Sequence, residues 1–299
     1  MKYNEVKEVE IELTGLCNLH CPMCTRNFSH TRHLRKHHER SISEITNQLN
    51  QFTNLELLYI AGSSSEPTMY HDFFELIKYA KARGVKIELY VNGNTHNAEW
   101  WKELSLLLTS EDEVYFAIAG ETQELHEKYR IGSNLQEILT NAEAFRSDTK
   151  NDILQFIRFE YNRHSLNTKA LEDIVKPFKE LFIVDSEIKR NDHHYMRSMP
   201  HDIMPYKERH DKLKALMDIR PKQGEGIIEA LCIEQGSIFI DQFGNISGCY
   251  SYAKEAPALH EEDGCIIFDP IINFDNEVCL KCEKRMRSLT TKLDLEYIY

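Results

Sequence analysis

Strand-like and helix-like segments alternate through residues 1–190, and this alternation limits the possible folds more than any other feature of the chain. Apolar residues alternate with glutamates in Glu8–Leu13, which predicts a strand with one buried face. Further strands are predicted over Leu55–Ala61, Val85–Val91, Glu113–Ala119, Ile153–Glu160 and Leu181–Ile188. Helical spacing predicts helices over His71–Arg83, Ala98–Leu108, Leu135–Arg146 and Thr168–Lys179. About six βα units predict an α/β fold, specifically a partial (β/α)6 TIM-like barrel.

The pattern changes after residue 190. Residues 191–226 are rich in Pro and Gly and lack a strong strand, so we interpret them as a connector with a short helix near Tyr206–Met217. A β-hairpin is then predicted from Ser237–Asp241 and a return through Ile246. The predicted organisation is therefore a barrel over 1–190, the connector, and a small C-terminal region of a hairpin plus helix over 227–299.

Composition excludes several classes of protein. The chain has 299 residues and a net charge of −12, which argues against general binding to nucleic-acid phosphates. It contains no apolar run long enough to span a bilayer, and its start lacks the apolar core of a signal peptide. These features predict a cytoplasmic protein with no membrane or nucleic-acid partner.

Three cysteines follow the first predicted strand with the spacing C-x3-C-x2-C, at Cys17, Cys21 and Cys24. Three thiolates can hold three irons of a cubane [4Fe–4S] cluster and leave the fourth iron open to another ligand. The alternative is a zinc knuckle, although zinc sites usually combine two C-x2-C pairs. No disulfide framework is expected, because the chain is long and the other cysteines cluster near its C-terminal end.

This cysteine run resembles that of radical S-adenosylmethionine (SAM) enzymes, in which SAM chelates the open iron. The segment at 62–67 is similar to the Gly-Gly-Glu-Pro motif of that family, with Ser64-Ser65 in place of Gly-Gly. The resemblance implies that Ser64, Ser65 and Glu66 receive the amino group of SAM. It also implies that Asn92 contacts the ribose. Arg130 and Asn162 are further candidate SAM contacts, with a surface helix arginine and a turn residue as their alternatives.

The C-terminal cysteines resemble the twitch region, a shortened form of the SPASM extension of the same family. The resemblance implies that four thiolates close one auxiliary [4Fe–4S] cluster, and these belong to Cys232, Cys249, Cys279 and Cys282. A structural Zn(Cys)4 ribbon is the alternative. Cys265 is left over and is expected to be a plain thiol.

The family implies reductive cleavage of SAM to a 5′-deoxyadenosyl radical, which abstracts a hydrogen atom from the substrate. The first expectation is an oxidoreductase or dehydrogenase acting on a small, sugar-like molecule, because the twitch layout resembles that of such enzymes and the chain starts at the first barrel strand. A peptide-modifying radical SAM enzyme and a zinc-binding interaction protein are the alternatives. Candidate acid–base residues at the end of the sixth strand are Glu187, Lys189 and Arg190.

A basic stretch over Arg26–Arg40 has five Arg and Lys residues against one Glu. It is either a solvated loop or a cationic rim that contacts an anionic substrate or an acidic reductant. The expected reductant is a flavodoxin or a ferredoxin.

Overall fold

The protein is represented by a computed structural model that describes residues 2–22, 24, 26, 38–62, 65–146, 151–185, 237–247, 260–262 and 265–267. A single main sheet dominates it, with the strand order β6-β5-β4-β3-β2-β1-β7-β8. The first six strands are β1 Glu8–Ile11, β2 Leu57–Ala61, β3 Lys86–Val91, β4 Glu113–Ile118, β5 Asp152–Arg158 and β6 Glu180–Asp185. All six are parallel to their neighbours, and their order in the sheet follows the order in the chain. The predicted α/β fold is confirmed, and the sheet has the topology of a partial TIM-like barrel.

Between these strands, the described residues form six helices: α1 Ile42–Leu49, α2 Phe73–Ala82, α3 Ala98–Ser105, α4 Gln123–Tyr129, α5 Leu135–Phe145 and α6 Lys169–Val175. Short 3-10 turns lie at Tyr3–Glu5, Pro67–Met69 and Ser165–Asn167. Helices α1 and α4 have no counterpart among the predicted elements. The start of α1 has a readable signal, because Ser41 and Glu44 form a reciprocal capping box at the first turn.

The two faces of each strand have different environments, as the period of two requires. Residues such as Ile11, Ile60 and Leu89 are fully buried in the core that also receives the helices. Tyrosines occupy the opposite face, where the ring centroids of Tyr90 and Tyr115 lie 4.1 Å apart. The barrel interior is therefore lined by side chains that carry polar groups.

The hairpin predicted near residue 240 is present as β7 Ser237–Ile240 and β8 Ile246–Ser247. Strand β7 pairs in parallel with β1, so it extends the main sheet as a seventh parallel strand. A separate two-stranded sheet contains β9 His260–Glu262 and β10 Cys265–Ile267. The connector and the C-terminal helix fall outside the described residues, and the proposed domain boundaries stay predictions. In the described part of the chain, every helix is too short or too polar to cross a bilayer.

Candidate functional site

The loop that carries the three cysteines leaves β1 at the carboxyl end of the sheet, the end at which parallel βα barrels hold their active sites. Side-chain hydrogen bonds fix the start of this loop. Thr14 Oγ1 donates to Glu39 Oε1 at 2.8 Å, and the other oxygen of Glu39 lies 2.8 Å from His71 Nδ1. Arg26 adds a hydrogen bond from Nη1 to the carbonyl of Gly15 at 3.0 Å. The cysteines are thereby held at the rim of the barrel.

Cys17, Cys21 and Cys24 are partly exposed thiols, and none of them is in a disulfide. Burial raises the pKa of Cys21 to about 12, and the charges of the other two thiolates push it in the same direction. Burial also raises the pKa of Cys17, with Glu66 and Cys24 adding to the shift. The thiols are therefore near enough for their charges to interact. A metal ligand must be deprotonated, so binding of a cationic group here would release protons.

Among the residues that the structure describes, no three His, Cys, Asp or Glu side chains converge on a point suited to one metal ion. A cubane cluster does not require such convergence, because each thiolate binds a different iron. The donor set of three nearby thiols therefore fits a [4Fe–4S] cluster.

An asparagine bridge ties the cysteine loop to the end of β3. Asn92 Nδ2 donates to Asn18 Oδ1 at 2.7 Å and lies 4.0 Å from Cys17 Sγ. Asn18 Nδ2 in turn donates to the carbonyl of Asn94 at 2.8 Å. Asn92 therefore lies at the end of β3 beside Cys17, and its contact with the ribose of SAM stays a prediction. Asn18 was not predicted, and only its place inside the cysteine run could have indicated it.

Glu66 lies under the cysteine loop with almost no exposure to solvent. Its Oε1 accepts from Thr68 Oγ1 at 2.6 Å, and its Oε2 accepts from the Asn92 N–H at 2.8 Å. Burial nevertheless raises the pKa of Glu66, because these donors are neutral and only the more distant Arg130 opposes the shift with a charge. A buried carboxylate surrounded by neutral donors is suited to receive an ammonium group.

Gly62 approaches Ser65 closely. A Cβ atom on Gly62 would lie 2.0 Å from the carbonyl oxygen of Ser65, so this position requires glycine. Ser65 Oγ donates to Glu12 Oε1 at 3.2 Å. Glu12 continues β1 and is buried, although the alternation of Glu8–Leu13 places it on the exposed face. Its burial follows from the loop after β2, which folds over it.

Arg130 ends α4 and is also buried, with 8% of its surface exposed. Its Nε atom is shielded from solvent and has no hydrogen-bond partner among the described residues. The guanidinium is close enough to Cys21 and Glu66 for its charge to oppose the rise in the pKa of both groups. An unpartnered buried donor carries a substantial desolvation penalty, so this arginine is arranged to meet an acceptor such as a carboxylate. It is not a surface helix arginine.

Asn162 is buried where β4 and β5 end, but its amide is occupied by the backbone. Its Nδ2 donates to the carbonyls of Ala119 and Ile157, each at 2.9 Å, and its Oδ1 accepts from the Phe159 N–H at 2.6 Å. This is the geometry of a turn residue. Its contact with SAM stays a prediction.

Several predicted residues lie outside the described part of the chain: Ser64, Glu187, Lys189, Arg190, Cys232, Cys249, Cys279 and Cys282. For Cys265 the structure describes the backbone, in strand β10.

Arg40, counted among the cations of the basic stretch, is buried and donates to Gln48 Oε1 at 2.6 Å. It therefore contributes to the interior and not to a charged surface.

Residues 11–157 match the model of the radical SAM superfamily. One curated relative, from Pyrococcus furiosus, is named as a cofactor-modifying protein for a tungsten-containing aldehyde ferredoxin oxidoreductase. It is 28% identical over 113 residues, which are 38% of this chain and 31% of the relative. The mycofactocin maturase MftC of Mycobacterium ulcerans is 28% identical over 121 residues, 40% of this chain and 31% of the relative. These alignments span about a third of the length of either relative.

Two solved structures share the fold. Streptococcus suis SuiB bound to S-adenosylmethionine superposes with a TM-score of 0.62 at 14% identity, covering 93% of this chain and 70% of SuiB. The structure of anSMEcpe with bound AdoMet and the Cp18Cys peptide gives a TM-score of 0.55 at 17% identity, covering 94% of this chain and 81% of that chain. The sequence match, the fold and the cysteine loop agree, and we conclude that residues 11–157 of this chain form a radical SAM superfamily domain.

Proposed function

We propose that this chain is a radical SAM enzyme whose reaction centre is the rim formed by Cys17, Cys21, Cys24, Glu66 and Arg130. One arrangement carries the proposal: three neighbouring thiols lie beside a buried carboxylate and a buried guanidinium whose Nε lacks a partner. When bound, a [4Fe–4S] cluster supplies the electron that cleaves SAM reductively and yields the 5′-deoxyadenosyl radical that abstracts hydrogen from substrate.

The protein groups at the rim match the charged ends of an amino acid. Glu66 presents a buried carboxylate to an ammonium group, and Arg130 presents a fork of donors to a carboxylate. The Asn92 side chain bonds to Asn18 and so fixes the end of β3 against the cysteine loop. Burial of both charged groups excludes water, which strengthens their attraction for a zwitterion.

The test is anaerobic reconstitution followed by counting iron and sulfide per chain, then addition of dithionite and SAM. Release of 5′-deoxyadenosine by the wild-type protein, lost in Cys21→Ala, is the expected result. About eight irons per chain correspond to two [4Fe–4S] clusters, including the proposed auxiliary cluster, and about four correspond to one. A colourless protein that holds zinc and cleaves no SAM would refute the proposal in favour of the zinc-binding alternative.

For the substrate, the proteins of similar sequence and fold favour a peptide over the sugar-like molecule expected from the twitch layout. One similar protein is named as a maturase, and SuiB has been solved bound to the precursor peptide SuiA, at a TM-score of 0.62 to this chain. We therefore place peptide modification ahead of oxidation of a small polar alcohol. A library of short peptides and a panel of sugar alcohols, each assayed for stimulated 5′-deoxyadenosine release and for a mass change, separates the two.

A further inference from the structure

His126 is a fully buried histidine with hydrogen bonds at both ring nitrogens, and the mechanism above does not use it. It lies in α4, one turn before Arg130. The two residues are joined directly, because the Arg130 N–H donates to the carbonyl of His126 at 3.0 Å. Burial of an imidazole is costly unless its ring nitrogens are hydrogen-bonded, and here both of them are.

The bonds of the ring define its protonation state. The backbone N–H of Ala119 lies 3.3 Å from Nδ1, and an amide N–H can only donate, so Nδ1 carries no proton. Nε2 then carries the proton of the neutral ring and donates it to Ser133 Oγ at 2.8 Å. Burial, followed by the charge of Arg130, lowers the pKa of His126 to about 3, which keeps the ring neutral at pH 7.

The imidazole therefore bridges the end of β4 and the turn that follows α4. This turn contains Arg130, and the Ser133 N–H donates to the Arg130 carbonyl at 3.0 Å. The backbone of Arg130 is thus bonded on one side to the carbonyl of His126 and on the other to the N–H of Ser133, the residue whose hydroxyl forms one end of the bridge. The close approach of α4 to β4 requires Gly120, where a Cβ atom would lie 2.6 Å from the backbone nitrogen of His126.

We propose that His126 is a positioning residue that holds Arg130 in the orientation needed to bind the carboxylate of SAM, an inference that rests on the proposed function. It acts through the backbone of Arg130 and the hydroxyl of Ser133. A neutral ring suits this role, because a charged imidazolium would repel the neighbouring guanidinium.

The experiment measures the SAM dissociation constant of the reconstituted full-length protein by equilibrium dialysis. Arg130→Ala is expected to weaken SAM binding by about 10- to 100-fold, the range for hydrogen bonds to charged groups. His126→Gln keeps a donor but loses the bridge and is expected to weaken binding about tenfold. Ser133→Ala removes one end of the bridge only and provides a milder variant that is expected to fold. His164→Gln, at an exposed histidine, is the matched control and should bind like the wild type.

A double-mutant cycle separates positioning from general damage. If His126 acts through Arg130, adding His126→Gln to Arg130→Ala causes no further loss of SAM affinity. Selective ¹⁵N labelling of histidine gives a second readout, because the protein without SAM should show the Nε2–H form at pH 7. Additive losses, or wild-type affinity in both His126→Gln and Ser133→Ala, would overturn the inference. Unchanged affinity in Arg130→Ala alone would instead refute the role of Arg130 in the proposed function, and the inference with it.

Discussion

Charged side chains have different partners at the two ends of the barrel. At the amino end of the strands, which we name the floor, Glu113 accepts from Lys179 Nζ at 2.6 Å and from Tyr115 OH at 3.0 Å, and Lys86 Nζ lies 3.7 Å away. At the carboxyl end, the rim, Glu66 has neutral donors only, and Arg130 has a buried Nε with no partner among the described residues.

The pKa values of Glu113 and Glu66 are shifted in opposite directions. Burial opposes ionisation of Glu113, but the hydrogen bonds from Lys179 and Tyr115 and the charge of Lys86 outweigh it and lower its pKa. For Glu66 burial dominates, and the pKa is raised. Side chains of the fold itself neutralise the charge at the floor, whereas the charges at the rim are incomplete without a ligand. The floor therefore serves stability and the rim serves binding.

The largest expected difference between the ends is in catalysis. Cys24→Ala at the rim should abolish 5′-deoxyadenosine release, because the remaining two thiols of this loop cannot hold three irons. Glu113→Gln at the floor should retain it. Anaerobic assay with dithionite and SAM, with iron counted in both variants, is the measurement. Loss of cleavage in Glu113→Gln at full iron content would contradict the division between floor and rim.

A large effect on stability is expected from Asp112, which lies at the floor just before β4. Its side chain is fully buried and accepts from Lys81 Nζ at 2.7 Å, the Ile87 N–H at 2.8 Å and the Thr109 N–H at 2.6 Å. Asp112→Ala leaves the Lys81 charge and two amides unpaired, so the free energy of unfolding should fall by about 3–5 kcal/mol. Urea unfolding measures the loss. The exposed neighbour Glu111→Ala is the control and should change stability by less than about 0.5 kcal/mol.

A smaller effect on binding is expected at Glu66. Glu66→Gln removes the charge that would meet the ammonium group of SAM, so the dissociation constant should rise about tenfold or more. Stability should be equal or higher, because an amide is cheaper to bury than an unpaired carboxylate. Equilibrium dialysis and urea unfolding of the same preparation test both parts. Glu113→Gln should instead lower the free energy of unfolding and leave the dissociation constant of SAM unchanged. If both variants change these two quantities in the same way, the floor and the rim do not differ in the manner described.

Most of the barrel could be predicted from the sequence because apolar periodicity is a local signal. The six strands and α2, α3, α5 and α6 are present within a few residues of their predicted bounds, except at the C-terminal end of α6. Helix α4 was missed because the residue that it buries is a histidine, so its sequence shows no clear apolar face. Its start has only a side-chain cap, Thr122 accepting from the Leu125 N–H.

The site was predictable only in part. Short motifs carry the first three cysteines, Glu66 and Arg130, so these candidates could be named from the sequence, and their roles stay predictions. The pairing of β7 with β1 and the burial of Glu12 beneath the loop after β2 depend on contacts between distant segments, and no local pattern encodes these. The contacts of Asn18 and His126, on which the proposed positioning role of His126 rests, involve residues that come together only after the strands have assembled.

The smallest predicted effect concerns the pH dependence of the floor. Because the folded pKa of Glu113 is lowered, its ionised form contributes stability above its unfolded value of about 4.5, and this contribution is lost as the pH falls through the folded pKa. Glu113→Gln should therefore lower the free energy of unfolding by about 1 kcal/mol at pH 7 and by progressively less below pH 4.5. Urea unfolding of both proteins at a series of pH values measures the difference. If the difference in free energy of unfolding between the two proteins stays constant or grows as the pH falls, the Glu113 carboxylate is not stabilised by Lys179 and Lys86. The charges of the floor would then be no better neutralised by the fold than those of the rim.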